Sequence, residues 1–339
     1  MTGRKFTGVG IGMGVVAASI AGAARAQDNT VLNLESGGWV QIAHHPSQVP
    51  GSRMTIEFWM RSLPNSGGRP VSKRPGSSGC YSIAVSPSNP QGLQGTAAEF
   101  FACGNVALMQ FAPARWQHFA YVCEGGVSIR YYLNGVLVDS AGAPTCTIAP
   151  GTYSLCFGIT PGYPVTQFLG RLDNIRIWSS ARTAEQIAGN ALHEFTEAEA
   201  AAHPDLIGSW SFVGSTANDA RGVNNGTLQS GAVISTDNTV GSGSDCNGNG
   251  LLDAYEISVG QLADHDSNGV PDCCESAPPC IPCMGDVDGN AQVNGVDLAS
   301  VLAAWGTTGK AYPGTDVNRD GTVDGSDLAQ VLSDWGTCP

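Results

Sequence analysis

Asp245, Asn247, Asn249, Leu251, Asp253 and Glu256 stand at positions 1, 3, 5, 7, 9 and 12 of a twelve-residue stretch, with Gly250 at position 6. These are the places from which a loop surrounds a calcium ion. Side chains supply oxygens at 1, 3, 5, 9 and 12, a main-chain carbonyl serves at 7, and glycine allows the sharp turn at 6. Asp264, Asp266, Asn268, Val270, Asp272 and Glu275 repeat the arrangement nineteen residues later, with Gly269 at the turn. One such stretch arises readily from ordinary Asp, Asn and Gly turns. Two complete ones in 31 residues point to Ca2+.

A second pair differs in kind. Asp286, Asp288, Asn290, Gln292, Asn294 and Asp297 form one loop, and Asp316, Asn318, Asp320, Thr322, Asp324 and Asp327 form another thirty residues on. Each runs directly into a stretch of helical periodicity, Leu298 to Trp305 and Leu328 to Trp335. The two share Asp-Leu-Ala-x-Val-Leu-x-x-Trp-Gly-Thr, which marks an internal duplication. The stripes Leu298, Val301, Leu302, Trp305 and Leu328, Val331, Leu332, Trp335 are expected to form the core of this module, with the alternative that part of each faces a partner. Ala291 replaces the turn glycine in the first of these loops, at a cost of about 1 kcal/mol where the residue is left-handed. The loop at Asp286 is therefore expected to bind more weakly than the loop at Asp316.

The nineteen-residue spacing of the first pair leaves no room for the paired helices of a regular EF-hand, and that segment, 241–275, resembles thrombospondin type-3-like calcium repeats. The resemblance implies a backbone wrapped around ions with little core, stapled by Cys246 with either Cys273 or Cys274. After a linker at 276–284, the duplicated segment 285–339 resembles the type I dockerin module. That resemblance implies attachment to a cohesin-like partner on a scaffold. Positions 10 and 11, where many dockerins carry hydroxyl residues that read the partner, are Gly295-Val296 and Gly325-Ser326 here. Cys283 and Cys338 bracket the module and are candidates to clasp its ends.

The elements that carry these loops follow from the rest of the chain. Residues 1–26 combine Arg4 and Lys5, an apolar run through Val15 and Val16, and Ala24-Arg25-Ala26, the pattern of a secretory signal with Gln27 first in the mature protein. The expected location is secreted or cell-surface, with no membrane span. Eleven cysteines in an exported chain imply disulfides. The formal charge of −13 lies wholly in the tail: residues 1–244 hold 14 acids and 14 bases, and residues 245–339 hold 15 acids with only Lys310 and Arg319. That balance argues against nucleic acid and towards a cation.

Between 27 and 240 short alternating stretches such as Met54 to Met60 and Ser128 to Leu133 predict half-buried strands. Asn134-Gly135 predicts a type I′ hairpin turn, because both central residues accept positive φ. One helical candidate, Thr183 to Ala191, stands among them, so the fold class is mainly β, a two-sheet sandwich. Thr55-Ile56-Glu57-Phe58-Trp59, Trp116 to Val122, Tyr132-Leu133-Asn134-Gly135, Gly170 to Trp178, Gly208 to Phe212 and Asn224 to Leu228 resemble the laminin-G-like, concanavalin-A-type jelly roll. The resemblance implies a curved sandwich that binds glycans or glycosylated partners, often with calcium at its rim. Asp173, in the Gly-x-x-Asp segment, and Asp219 are the candidates for that rim ion. In such proteins the segment Trp210 to Leu228 commonly precedes the jelly roll. Here it follows, as a circularly shifted edge or the start of a lost second copy.

No catalytic residue is assigned. Glycosidases need two carboxylates flanking the bond, and the Glu-x-Asp-x-x-Glu pattern of family-sixteen glucanases is absent. Glu194 and Glu197 fall in an alanine-rich acidic stretch expected to be a solvated turn or short helix, and His44-His45 has no neighbouring ligands. The expectation is a non-catalytic binding protein. The alternatives are a glycoside hydrolase or its accessory subunit, distinguished by two carboxylates about 5 to 10 Å apart in a groove, and a surface adhesion component.

Overall fold

The computed structural model describes residues 29–73, 80–86, 96–101, 108–142, 148, 150–247, 249–262, 264, 268–276, 285–288, 292–307, 315–317 and 322–337. The expected signal segment, most of the linker, the candidate ligands Asp266, Asn290, Asn318 and Asp320, Ala291, and Cys103, Cys146, Cys280, Cys283 and Cys338 lie outside the described residues.

Fifteen strands precede the acidic tail among the described residues: β1 (Thr30–Asn33), β2 (Trp39–Ile42), β3 (Arg53–Ser62), β4 (Gly68–Ser72), β5 (Ser82–Ser86), β6 (Thr96–Phe101), β7 (Leu108–Phe111), β8 (Gln117–Glu124), β9 (Ser128–Leu133), β10 (Val136–Gly142), β11 (Leu155–Phe157), β12 (Gly170–Trp178), β13 (Leu206–Trp210), β14 (Gly226–Gln229) and β15 (Val233–Thr236). They make two antiparallel sheets, β10-β9-β8-β3-β12-β1-β15 with β13 also on β12, and β14-β2-β11-β4-β5-β6-β7. Ile56, Phe58 and Met60 of β3 and Phe119 and Tyr121 of β8 meet Val40, Ile42, Leu155, Phe157 and Ile83 of the second sheet in one core. This is the expected jelly-roll sandwich.

The β9–β10 turn has Asn134 at φ 49° and Gly135 at φ 80°, as the Asn-Gly pair predicts. The chain after Trp210 belongs to the same sandwich. β14 pairs with β2 and β15 with β1, so this segment supplies edge strands to both sheets. β12 divides its free side at a register shift near Asn174, φ 47°: its first half pairs with β1 and its second with β13.

The half-buried reading of β3 needs correction. Every residue from Met54 to Met60 is buried. The outward Thr55, Glu57 and Trp59 are covered by a second layer, made of α1 (Ala184–Asn190), α2 (Glu197–Ala202) and the chain around them. α1 is the predicted helix, capped by Thr183 with Gln186 reaching back, and it lays Ile187 on Ala120, Val122 and Tyr132. α2 is the short helix expected in the acidic stretch, with the same reciprocal cap between Thr196 and Glu199.

The tail adds α3 (Asp253–Ser258), α4 (Asp272–Ser276), α5 (Gly295–Ala303) and α6 (Gly325–Ser333), with β16 (Gln292–Val293) pairing β17 (Gly336–Thr337). Leu252, at the entry to α3, is buried with Val31, Trp59, Ala191 and Val240. The first loop thus forms part of the layer over the first sheet. No helix among the described residues is long and apolar enough to cross a membrane.

Candidate functional site

The first two loops fold alike where their residues are described. Asp245 accepts from the N–H groups of Asn249 (3.1 Å) and Gly250 (2.9 Å), and Asn249 accepts from Leu251 N–H (2.8 Å). Asp264, Asn268, Gly269 and Val270 repeat these bonds at 3.1, 2.9 and 2.8 Å. Gly250 and Gly269 take φ of 87° and 85°, the left-handed turn that position 6 requires. Glu256, buried, faces the amides of Asn247 and Asn249, and Glu275 faces that of Asn268, so position 12 closes on positions 3 and 5. Asp253 accepts from Cys246 N–H at 3.0 Å. Burial pushes its carboxyl up, the Cys246 N–H opposes this, and the charge of Asp245 adds to the rise. The side chains at positions 1, 3, 5, 9 and 12 all carry oxygens, the ligand type that suits a hard cation, and here the amide nitrogens of Asn247, Asn249 and Asn268 face the glutamates.

Cys246 and Cys274 form a disulfide across 28 residues, Cα atoms 6.0 Å apart, which decides between the two expected pairings. It staples the start of the first loop to the helix that follows the second. Among the described residues, Cys80, Cys123 and Cys156 are outside any disulfide. Cys80 and Cys123 sit in the sandwich core and Cys156 on the covered outer side of the second sheet; burial pushes the thiols up, Cys123 to about 11 and Cys156 to about 12.

In the third loop Asp286, Asp288 and Asp297 bring carboxylate oxygens within 4.8 Å of one another, a group that can hold a metal ion. Asp297 is buried and accepts from the N–H groups of Asp288 (3.1 Å) and Asn294 (2.9 Å). The fourth loop has the matching buried Asp327, accepting from Asp324 N–H at 2.8 Å. Asn294 and Asp324 in turn cap α5 and α6. One short chain segment therefore serves as both loop and helix start. Gln292, Thr322 and Asp316 belong to the same two loops.

The repeated Trp-Gly-Thr gains a role that the spacing did not reveal. Gly336-Thr337 after α6 pairs with Gln292-Val293 of the third loop. Gly306 and Thr307 after α5 exchange bonds of 2.8 Å with Val323 of the fourth. Each repeat thereby clasps the other. The apolar stripes are only half core: Val301 and Val331 are buried with Val293, Ala304, Val317 and Val323, whereas Leu302, Trp305, Leu332 and Trp335 are 52, 47, 54 and 52% exposed. Two short helices cannot enclose side chains that size on every side, so the outer half of each stripe faces away from the core.

On the sandwich, Asp173 and Asp219 are buried and already engaged. Asp173 accepts from Asn174 N–H (2.8 Å) and Asn29 Nδ2 (3.3 Å). Asp219 accepts from the N–H groups of Ser209 (2.9 Å), Arg221 (3.0 Å) and Asn224 (3.0 Å). Neither joins a group of three potential ligands among the described residues. A rim ion at either would displace these donors.

The buried carboxylate of Glu57 lies on the covered face of the first sheet, accepting from Trp178 Nε1 at 2.7 Å with Arg176 3.8 Å away. Burial pushes it up, against the charges of Arg176 and Arg182. Glu197 lies in the exposed first turn of α2 and Glu194 just before that helix. His44 and His45 diverge, the first to Lys73 Nζ (3.1 Å), the second to Ser47 (2.8 Å). Lys73 is buried, donates also to Gln48 Oε1 (2.7 Å) and the Tyr153 carbonyl, and has its pKa lowered by burial to about 8.

Two cavities open on the sandwich. One of about 580 Å³ lies among α1, His203, Asp205 and Leu251 of the first loop, with Arg182 and Glu185 in its wall. The other, of about 290 Å³, lies against the outer face of the second sheet and is lined by Trp39, Gln41, Ser154, Cys156 and the turn from Ile159 to Pro164. The sequence offered no signal for the second, since its walls are more than 100 residues apart.

The architecture is that of a concanavalin-A-type sandwich carrying a duplicated loop-helix tail. Residues 34–188 match the family model of the concanavalin A-like lectin/glucanases superfamily, and residues 284–333 match that of the dockerin type I domain. The chain therefore contains a laminin-G-like jelly roll and a type I dockerin module. No curated protein matches the chain. Among solved structures it is similar to a candidate carbohydrate-binding protein from Bacteroides ovatus, at 18% identity and a TM-score of 0.49, covering 62% of this chain and 60% of that one. It is also similar to a heptameric SAP-like pentraxin from Limulus polyphemus, at 10% identity and a TM-score of 0.46, covering 63% of this chain and 97% of that one.

Proposed function

We propose that this is an exported, calcium-binding, non-catalytic protein whose jelly roll holds a carbohydrate or a glycosylated surface partner and whose dockerin tail fixes it to a cohesin-like protein. The calcium reading rests on one observation above all. The same bonds recur nineteen residues apart, each time with the position-12 glutamate turned onto the amides that precede it. Ordinary Asx turns need no such glutamate. The thrombospondin type-3-like reading of 241–275 follows from the same repetition together with the Cys246–Cys274 staple. The dockerin match and the acid cluster at Asp286, Asp288 and Asp297 support further ions in the tail. The outward Leu302, Trp305, Leu332 and Trp335 suit a protein partner. The cavity against the second sheet has no carboxylate in its wall, which favours binding over glycoside hydrolysis there.

The test is a calorimetric calcium titration of the full chain, with far-UV circular dichroism before and after chelation. The expected result is several bound ions, a loss of helix on chelation, and one ion fewer in each of Glu256→Gln and Glu275→Gln. Absence of calcium heat, with an unchanged helix signal in chelator, would leave only the sandwich standing.

A further inference from the structure

The cavity on the second sheet is built in an unusual way for a surface hollow. In β2, Val40 and Ile42 enter the core, so Trp39 and Gln41 turn outward. In β11, Leu155 and Phe157 do the same, which turns Cys156 outward, directly opposite Gln41 in the register. These residues make the floor. The far wall is the turn Ile159 to Pro164, which raises Tyr163 with 45% of its surface exposed.

That turn is fixed rather than loose. Tyr163 N–H donates to the Thr160 carbonyl (2.9 Å), Thr160 N–H donates to Thr166 Oγ1 (2.9 Å), and Thr166 Oγ1 donates to the Tyr163 carbonyl (2.7 Å). Pro161 and Pro164 flank the ring, and Gly162 takes φ 78°. Gln167 Nε2 ties the following residues to the Gly38 carbonyl at the start of β2 (3.1 Å). A ring partly exposed on a fixed turn beside a hollow is pre-placed to act as a binding wall.

The chemistry of the wall selects the occupant. No charged side chain lines the cavity, and its polar groups are the Gln41 amide and the hydroxyls of Ser154 and Tyr163. Nucleic acid would need cations here, in a chain of net charge −13. At about 290 Å³ the hollow lies at the small end of ligand sites, which begin near ~300 Å³, and takes one ring rather than an acyl chain. Two aromatic side chains with neutral donors and acceptors between them match a ring that is apolar on its faces and hydroxylated at its edge. We propose that this cavity seats one pyranose ring of a neutral polysaccharide. The proposal rests on the reading of the jelly roll as a carbohydrate-binding module and gives that reading a site.

The test is affinity gel electrophoresis of the full chain, in calcium, through gels containing hydroxyethylcellulose, xylan, glucomannan, laminarin or the acidic polygalacturonate. At least one neutral polymer should retard the chain. Tyr163→Ala and Trp39→Ala should each weaken that retardation by about tenfold or more, as truncation of a central aromatic anchor does. Tyr163→Phe, which keeps the ring, should retain most of it. On the unaltered chain, the bound polymer should slow nitration of Tyr163 by tetranitromethane, a readout that needs no variant to fold. Retardation that ignores both alanine variants, with nitration unprotected, would sink this cavity while sparing carbohydrate binding elsewhere on the sandwich. Retardation by polygalacturonate alone would refute the neutral ligand. Passage through every gel unretarded would overturn the cavity and the carbohydrate reading together.

Discussion

Calcium at the first loop should stabilise the sandwich itself, and Leu252→Ala should expose the route. Leu252 joins that loop to α3 and is buried among Val31, Trp59, Ala191 and Val240, all of them sandwich residues or their covering layer. Truncation to alanine removes three buried carbons, about 2.4 kcal/mol of transfer at ~0.8 kcal/mol each. The cavity left behind raises the loss to about 3 kcal/mol, within the usual ~2–5 kcal/mol for such changes. Calcium at about a hundred times its dissociation constant contributes about 2.7 kcal/mol to whatever unit binds it. The assay is urea unfolding of the full chain, followed in the near-UV where the buried indole of Trp59, bonded to the Ala191 carbonyl at 2.7 Å, reports the sandwich layer. Calcium should shift that transition in the unaltered chain. Glu256→Gln should abolish the shift from the first loop while leaving the calcium-free stability nearly unchanged, and Leu252→Ala should lower the calcium-free stability by about 3 kcal/mol. A near-UV transition indifferent to both calcium and Leu252→Ala, with only the far-UV helix signal responding, would refute the coupling.

His118 should make the fold acid-sensitive. It is buried against Trp59, and burial, with the charge of Arg176 adding, pushes its pKa down to about 3. The unfolded chain takes up that proton near pH ~6.5, so between about 6.5 and 3 it binds more protons than the native state. The contribution of the neutral ring is whole above that window and falls by about 1.4 kcal/mol per pH unit as the pH drops through it. His118→Phe should flatten this slope in denaturant midpoints measured against pH. In the dockerin module, Val301→Ala should cost about 2 kcal/mol, read from the far-UV melt, whereas the half-exposed Leu302→Ala should stay within about 0.5 kcal/mol. The same Leu302→Ala should weaken capture by a cohesin by about tenfold if the outer stripe meets the partner. Gly135→Ala should lower the thermal midpoint, because its Cβ would lie 3.0 Å from Tyr255 Cβ and 3.1 Å from Ala188 Cβ, on a backbone at φ 80° that costs about 1–2 kcal/mol for any other residue.

The features legible in the sequence were local ones. Asn134-Gly135 declares its turn because few residues tolerate two positive φ angles. Thr183 with Gln186 declares a helix start because both partners lie within one turn. The loops at Asp245 and Asp264 are readable because their ligands are counted along twelve consecutive residues. What escaped depends on distant chain. Alternation in β3 says that its two faces differ, yet it cannot say that a helix more than 100 residues later covers the second, so Glu57 and Trp59 read as half-exposed and are buried. The polar types on that face, Glu57, His118 and Arg176, argued for solvent and lie instead in a covered layer. Helical periodicity likewise names the inner face of α5 and α6 and cannot say how wide a neighbour will be.

The size of the dockerin core explains why its chain is so acidic. Among the described residues its fully buried apolar side chains are Val293, Val301, Ala304, Val317, Val323 and Val331, with Val287 and Leu298 packed partly buried against them. Such a core is a small source of stability for a module of this length. The eight acids of residues 285–339 add to the difficulty, because with two bases they repel one another on compaction. The proposed cation would reverse both difficulties at once, by neutralising the carboxylates that converge at Asp286, Asp288 and Asp297 and by fixing the loops from which α5 and α6 start. The first loop differs from the rest in one respect, since Leu252 and Tyr255 anchor its helix to the sandwich. Its ligands are held near their places before any ion arrives. An ion bound at that loop, as proposed, would therefore act on the sandwich, whereas ions in the dockerin module would act on its small core.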